Sequence, residues 1–161
     1  MRSGVIDLQR LVEHKRREVY PSHVHYRVLV PVGESVRIRL EVPRTHVYIV
    51  TGEVHDVPSE YFTHKCWKDG KLVLPETLID GTSMVIEYPE PFIVEREWVG
   101  EVRNVSHIYR PPGEDAVFRL RVIMLVAPRW LIDELSRAVE SGAPTGLVAG
   151  VGGPWRSAPP R

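Results

Sequence analysis

The stretch VRIRLEV, residues 36–42, decides the fold, because apolar and charged side chains alternate along it without a break. Successive side chains of a β-strand point to opposite faces of a sheet, so this alternation predicts a half-buried strand. A second alternating stretch lies near the end of the chain, at Phe118, Leu120, Val122, Met124 and Val126. Its other face turns apolar toward residue 126, which predicts that this end of the strand is buried on both sides.

Working outward from these two strands, short turn signals divide residues 22–127 into about nine strand-like runs. Gly33-Glu34 and Asp69-Gly70 are typical of tight connections, because a turn residue with positive φ favours glycine or aspartate. Further runs cover residues 92–99 and 102–109, with a turn predicted at Gly100. Parallel strands need long crossovers, and few connections here are long enough. We therefore predict an all-β core, an antiparallel β-sandwich of jelly-roll or Greek-key type, with a closed barrel as the alternative.

Helical periodicity flanks this core on both sides. Residues 1–21 form the predicted N-terminal helical segment, with an apolar stripe at Leu8, Leu11, Val12 and Val19 and an end at Pro21. Residues 128–142 form the predicted C-terminal helix, which starts at Pro128 and ends at Gly142. Proline is tolerated at the first helical position and glycine is typical just past a helix end. The buried stripe of this second helix is predicted at Leu131, Leu135, Ala138 and Val139.

Residues 143–161 have no period and are rich in glycine and proline. A stretch of this composition cannot build a core of its own. We therefore predict a C-terminal arm that contacts a neighbouring subunit, because aromatic and apolar side chains are typical anchors at interfaces. The predicted interface residues are Val148, Val151 and Trp155.

The composition narrows the class of protein. The 161 residues carry 21 basic and 21 acidic side chains. This balance argues against a general nucleic-acid binder, which would carry an excess of Lys and Arg to match the phosphates. A single cysteine excludes a disulfide within the chain, and no apolar run is long enough for a membrane span. No secretory signal begins the sequence, so we expect a cytoplasmic or virion protein. One Asn, one Gln and 14 Pro favour a thermophilic source.

Two His-containing pairs suggest a metal site. His23 and His25, like His64 and Cys66, are two residues apart and would share one face of a strand. If their strands were neighbours, three imidazoles and a thiolate would form a plausible tetrahedral zinc set. His-x-His at the start of a strand resembles the first metal motif of cupins, and the resemblance implies a metal in a jelly-roll interior. It covers these residues only, because the downstream Glu spacing of that family is absent.

Four arginines suggest a second kind of site. Arg37 and Arg39 share one strand face and Arg119 and Arg121 share another, so adjacent strands would form a basic stripe for RNA or single-stranded DNA. Glu41, Glu53 and Glu101 are alternative cross-strand partners that would neutralise it.

Neither a Gly-x-Ser-x-Gly nucleophile motif nor a phosphate-binding loop occurs, so we assign no catalytic residue. The sequence predicts a non-enzymatic structural or assembly protein, most simply a virion or other particle component whose partners are copies of itself or other subunits. No cofactor is expected, with zinc as the alternative. A cupin-like metal-binding protein or enzyme is the second hypothesis, and a nucleic-acid-binding accessory factor is the third.

Overall fold

A computed structural model of the chain describes residues 18–55, 61–79 and 84–140. The predicted arm at residues 143–161, with Val148, Val151 and Trp155, lies outside the described residues. So does most of the predicted N-terminal helical segment. Its last residues differ from the prediction, because Tyr20 and Pro21 already belong to the first strand and Val19 is buried just before it.

The described residues form eight strands and two α-helices. The strands are β1 (Tyr20–Val30), β2 (Ser35–Glu41), β3 (His46–His55), β4 (Phe62–Lys68), β5 (Lys71–Leu78), β6 (Met84–Val94), β7 (Glu97–Asn104) and β8 (Ala116–Pro128). A short helix α1 (Ser106–Tyr109) precedes β8. A 3-10 turn (Arg129–Leu131) and then α2 (Ile132–Glu140) follow it.

The strands form two four-stranded sheets, ordered β1-β8-β3-β6 and β2-β7-β4-β5. Within the described residues every pairing is antiparallel, and β1 pairs with β8, β2 with β7, β3 with β6 and β4 with β5. This is one long antiparallel ribbon rolled into two layers, which defines a jelly-roll sandwich. The predicted fold class is confirmed.

Two apolar clusters stabilise the fold, one between the two sheets and one between the first sheet and the C-terminal helix. Large buried side chains, with Phe62, Trp98 and Phe118 among them, fill the space between the sheets. A second cluster lies outside the first sheet, where Leu131, Leu135 and Ala138 cover its outer face. The predicted stripe of the C-terminal helix and the double burial at the end of β8 are therefore confirmed. The α-helix itself begins at Ile132, because the chain first makes the 3-10 turn.

The predicted break at Gly100 is wrong, since Gly100 lies inside β7. A Cβ at this position would lie 2.6 Å from Trp98 Cη2 and 3.1 Å from His64 Cε1, so glycine is required for packing and not for a turn. The turn lies instead at Glu95 and Arg96, and the predicted strand at 102–109 ends at Asn104.

The side chain of Asp69 fixes this turn from the neighbouring hairpin. Its carboxylate accepts hydrogen bonds from the backbone N–H groups of Glu95 at 3.0 Å, Arg96 at 2.7 Å and Glu97 at 3.0 Å. Asp69 itself has φ of 46° and Gly70 has φ of 83°, so the predicted Asp-Gly hairpin between β4 and β5 is confirmed. The β4–β5 hairpin therefore supports the connection that leads from β6 in one sheet to β7 in the other.

Candidate functional site

The candidate site begins with an irregularity in β3. Val50 lies opposite Met124 of β8, but Gly52 lies opposite Ile123, so β3 carries one extra residue at this point. Such a bulge shifts the alternation of the strand by one position. Val50 faces the interior, and after the bulge Glu53 and His55 face it as well. A regular strand would have turned Glu53 toward solvent.

Glu53 is the centre of a hydrogen-bonded cluster inside the sandwich. His55 Nε2 lies 2.9 Å and His64 Nε2 lies 2.8 Å from Glu53 Oε2, and the Tyr88 hydroxyl donates to Glu53 Oε1 at 2.6 Å. Cys66 Sγ lies 3.6 Å from the same hydroxyl oxygen. We call Glu53, His55, His64, Cys66 and Tyr88 the core cluster. It joins β3 and β6 of one sheet to β4 of the other.

The core cluster is sealed from solvent. Glu53, His55 and Cys66 are 0 % exposed, and His64 is 1 % exposed. Surface pockets of about 400 and 270 Å³ lie elsewhere, at the Asp69 hairpin end and on the outer face of β1 and β8. None of the core cluster residues lines either of these two pockets.

The bond pattern indicates where the protons lie. His64 Nδ1 is 3.2 Å from the backbone oxygen of Glu101, and because a carbonyl only accepts, Nδ1 carries a proton. His64 Nε2 faces Glu53 Oε2 at 2.8 Å, so both ring nitrogens of His64 lie against oxygen acceptors. His55 donates from Nε2, which leaves its Nδ1 without a hydrogen-bond partner.

Burial and hydrogen bonding compete at each of these groups. Burial alone would raise the pKa of Glu53, but the charge on His64 and the bonds from both histidines hold that pKa well below its usual range. Burial lowers the pKa of His55, against the bond to Glu53, so His55 is neutral. Burial and then the Glu53 charge raise the pKa values of both the Cys66 thiol and the Tyr88 hydroxyl. Cys66 is thus a protonated thiol with no nucleophilic character.

The predicted four-residue metal set is not assembled. His23 and His25 lie on β1 with exposed side chains, whereas His64 and Cys66 face the interior from β4 in the other sheet. Strand β1 pairs with β8, and β4 pairs with β5 and β7, so the condition that the two strands be neighbours is not met. His64 and Cys66 instead meet Glu53, and ligand atoms of these three residues all lie within 4.8 Å of one another.

The four arginines do not form one stripe either. Arg37 and Arg39 lie on β2, where each faces an acidic residue of β7: Arg37 Nε is 3.2 Å from Glu101 and Arg39 Nε is 3.3 Å from Glu97. Arg119 and Arg121 lie on β8 in the other sheet. The expected neutralisation by Glu101 is present, but Glu53 is buried and takes no part in it.

The sequence analysis missed Glu53, His55 and Tyr88. The available signal was the pair Glu53 and His55, which has the same two-residue spacing as His64 and Cys66. It was hidden because the bulge moves this pair to the apolar face. The available signal for the bulge was Gly52, since glycine inside a strand often marks a bulge or a close backbone approach. Tyr88 lies on β6, which runs continuously through Pro89 and Pro91, although prolines in a sequence are typical of a strand end.

The fold and the site together define a jelly-roll sandwich with a sealed polar core. No protein-family model and no curated protein matches the chain. The structure is similar to a chain of infectious bursal disease virus, Gx strain, with 11 % identity and a TM-score of 0.41, over 67 % of this chain and 32 % of that one. It is also similar to a chain of the Bacillus endospore appendages, described as disulfide-linked pili, with 10 % identity and a TM-score of 0.36, over 69 % of this chain and 88 % of that one.

A third similarity is to the Yersinia pseudotuberculosis-derived mitogen, with 10 % identity and a TM-score of 0.32, over 63 % of this chain and 85 % of that one. At these values the similarities concern the arrangement of strands and carry no argument about function. Among the described residues, no helix has the length and apolar character to cross a membrane.

Proposed function

We propose that the protein is a non-enzymatic structural subunit of a multi-subunit assembly, such as a virion or a similar particle. The observation that supports this best is an apolar surface at one end of the sandwich, formed by Val32, Ile108, Tyr109, Pro111 and Pro112. We call it the apical patch. Ile108 is 63 % and Tyr109 is 53 % exposed, and clustered apolar exposure of this kind is typical of protein–protein contacts.

Hydrogen bonds hold the apical patch in place. Asn104 donates from Nδ2 to the backbone oxygens of Val30 and Glu114, both at 2.9 Å, and its Oδ1 accepts from the N–H of Ser106 at 3.0 Å. Asp115 accepts from the N–H of Val32 at 2.9 Å. A surface that is ordered before binding loses little conformational entropy on binding, so this geometry suits a permanent contact.

The arm at residues 143–161 provides the second contact in this proposal, through Val148, Val151 and Trp155. Removal of the arm would lower the mass of the assembly without unfolding the sandwich. Within the described residues, two apolar clusters already pack the sandwich and its outer helix.

Light scattering on the purified full chain tests the proposal, together with electron microscopy of the same sample. We expect a regular multimer for the full chain and a smaller species for Ile108→Asp. Leu29→Asp is the matched control, because Leu29 is equally exposed, at 59 %, but lies on β1 outside the apical patch. A full chain that stays monomeric at every concentration, or an Ile108→Asp variant with an unchanged mass, contradicts the proposal.

A thermophilic source is part of the same proposal. Asn104, the sole Asn of the chain, is 0 % exposed and fully hydrogen-bonded, so the thermolabile amide is protected. We expect a melting temperature above about 65 °C, which is the upper end of the range for mesophilic domains. Calorimetry of the full chain measures it, and a value inside the mesophilic range would refute this part.

A further inference from the structure

The donor atoms of the core cluster are those that zinc prefers. Glu53 offers a carboxylate oxygen, His64 an imidazole nitrogen and Cys66 a sulfur, and these atoms lie within 4.8 Å of one another at 0–1 % exposure. In a tetrahedral zinc site, bond lengths of about 2.0–2.3 Å place neighbouring ligand atoms about 3.3–3.8 Å apart. The three donors thus already lie within about 1–1.5 Å of the spacing that a bound ion requires.

His55 lies beside these three donors but is outside the set whose ligand atoms come within 4.8 Å of one another. Its Nε2 donates to Glu53 Oε2 at 2.9 Å. Because the two ring nitrogens of an imidazole point in widely different directions, the Nδ1 atom of His55 faces away from Glu53. His55 therefore orients the Glu53 carboxylate and does not bind the ion.

We propose that the core cluster is a structural site for a divalent ion of the zinc class, bound by Glu53, His64 and Cys66. A thiolate together with imidazole favours zinc over magnesium or calcium, which prefer oxygen ligands. The ion joins β3 of one sheet to β4 of the other, and this function goes beyond subunit assembly.

The charges balance when the ion binds. The ion binds the thiolate form of Cys66 and the unprotonated Nε2 of His64, so the protons on these two atoms leave to solvent on binding. The loaded site then holds two positive charges on the ion against one carboxylate and one thiolate. Its net charge is zero, so no charge is buried without a counter-charge.

Because the ligand atoms are buried, the metal has to be removed and added while the chain is unfolded. Because no ligand atom reaches solvent in the folded chain, an ion enters during folding or through rare opening. The full chain is therefore unfolded in denaturant with a chelator, freed of metal, and refolded with cobalt(II) as the probe. Excess metal is then removed by gel filtration in the presence of a chelator.

Two measurements on the refolded chain report the site. Elemental analysis gives the metal content, and we expect one cobalt per chain. Absorption spectroscopy gives the ligands, and we expect the near-ultraviolet thiolate-to-cobalt charge-transfer band together with the visible bands of a tetrahedral ion. Cys66 is the sole cysteine of the chain, so this band by itself identifies the ligand.

Two variants sharpen the result. Cys66→Ser is expected to lose the charge-transfer band, and circular dichroism verifies that it refolds. The double variant His23→Ala, His25→Ala removes the exposed pair on β1 and is expected to keep both the band and the stoichiometry. Wild-type protein without retained cobalt or without the band overturns the proposal, and so does loss of the metal in the double variant. None of these results depends on whether the chain assembles.

Discussion

The interior and the surface of this sandwich each hold a carboxylate between two basic side chains, and the two arrangements differ mainly in burial. Inside, Glu53 accepts from His55 and His64 at 0–1 % exposure. Outside, Glu101 lies 3.2 Å from Arg37 and 3.0 Å from Lys65, and the side chain of Arg37 is 67 % exposed. Coulomb attraction between charges is screened in the second case and hardly at all in the first.

The two arrangements are joined at one residue. The side chain of Glu101 binds Arg37 and Lys65 outside the second sheet, and its backbone oxygen accepts from His64 inside the sandwich. A carboxylate between two basic side chains therefore has a different effect on stability in the interior and at the surface. A carboxylate enclosed in the core makes the interior intolerant of change. Glu101 is only 16 % exposed, but its partner Arg37 is largely in water, so this pair adds a smaller and salt-dependent stabilisation.

The largest effect is expected for Glu53→Gln, which keeps the size of the side chain and removes its charge. Glutamine keeps one acceptor oxygen, but its NH2 group faces a donor that Glu53 accepted from, and the negative charge beside His64 and His55 is lost. Breaking such a buried charged interaction costs about 3–5 kcal/mol. Urea denaturation in the presence of a chelator measures the free energy of unfolding. Glu101→Gln is the matched control, for which we expect a loss below about 1 kcal/mol. Equal losses of unfolding free energy in Glu53→Gln and Glu101→Gln would show that burial does not decide how much each carboxylate contributes.

The next effect is expected for Gly100→Ala, in the strand between the two arrangements. The new methyl group would meet Trp98 Cη2 at 2.6 Å and the His64 ring at 3.1 Å, and overpacking of this kind costs about 1–3 kcal/mol. Trp98→Phe removes the ring atom that is nearest. The double variant should therefore lose less stability than the sum of the single losses, by at least about 0.5 kcal/mol. Simple additivity would mean that the ring does not set the requirement for glycine.

Acid is expected to weaken the interior in two steps in the metal-free chain. The pKa of His55 is lowered on folding by burial, so below about pH 6.5 the unfolded chain binds more protons and stability falls. The pKa of Glu53 is also held below its usual range, and its contribution, present above about pH 4.3, is lost as the pH falls further. Each step has a maximum slope of about 1.4 kcal/mol per pH unit.

Denaturation curves between pH 7 and pH 5 measure the first of these steps. His55→Gln is expected to flatten the profile in this range, whereas His23→Ala, an exposed position, is expected to leave it unchanged. A profile that is flat in the wild type would show that His55 is not neutral in the folded chain.

The smallest effect is expected at the surface pair Arg37 and Glu101. A double-mutant cycle with alanine at both positions should give a coupling of about 0.2–1 kcal/mol, because the guanidinium is largely in water. Raising the salt concentration should reduce this coupling, since a Debye length of about 3 Å at 1 M screens an exposed pair. A coupling energy that does not change with salt would show that the Arg37–Glu101 pair is shielded from solvent ions, as the core cluster is.

Much of the fold was accessible from the sequence because it depends on local patterns. The alternation at residues 36–42 identified β2, the Asp69-Gly70 pair identified the hairpin between β4 and β5, and the helical stripe with Leu135 identified α2. Each of these features is determined by residues that are neighbours along the chain.

The features that were not accessible depend on contacts between distant residues. Glycine is typical of turns, so the sequence predicted a turn at Gly100. Its place inside a strand is explained by the ring of Trp98, which leaves no room for a Cβ at this position. The turn at Glu95 and Arg96 is held by Asp69, more than 20 positions earlier. The core cluster depends on the bulge in β3, since one extra residue decides whether Glu53 faces water or the interior.

The short crossover from β3 to β4 has a consequence for the order of folding. Glu53 and His64 are 11 positions apart, whereas His25 of β1 and Arg121 of β8 are 96 apart. By the logarithmic dependence of loop entropy on length, closing the shorter loop costs about 2 kcal/mol less. We therefore expect the two layers to meet first at this crossover, with the terminal strands docking afterwards on a nucleus that is already held by a carboxylate and an imidazole.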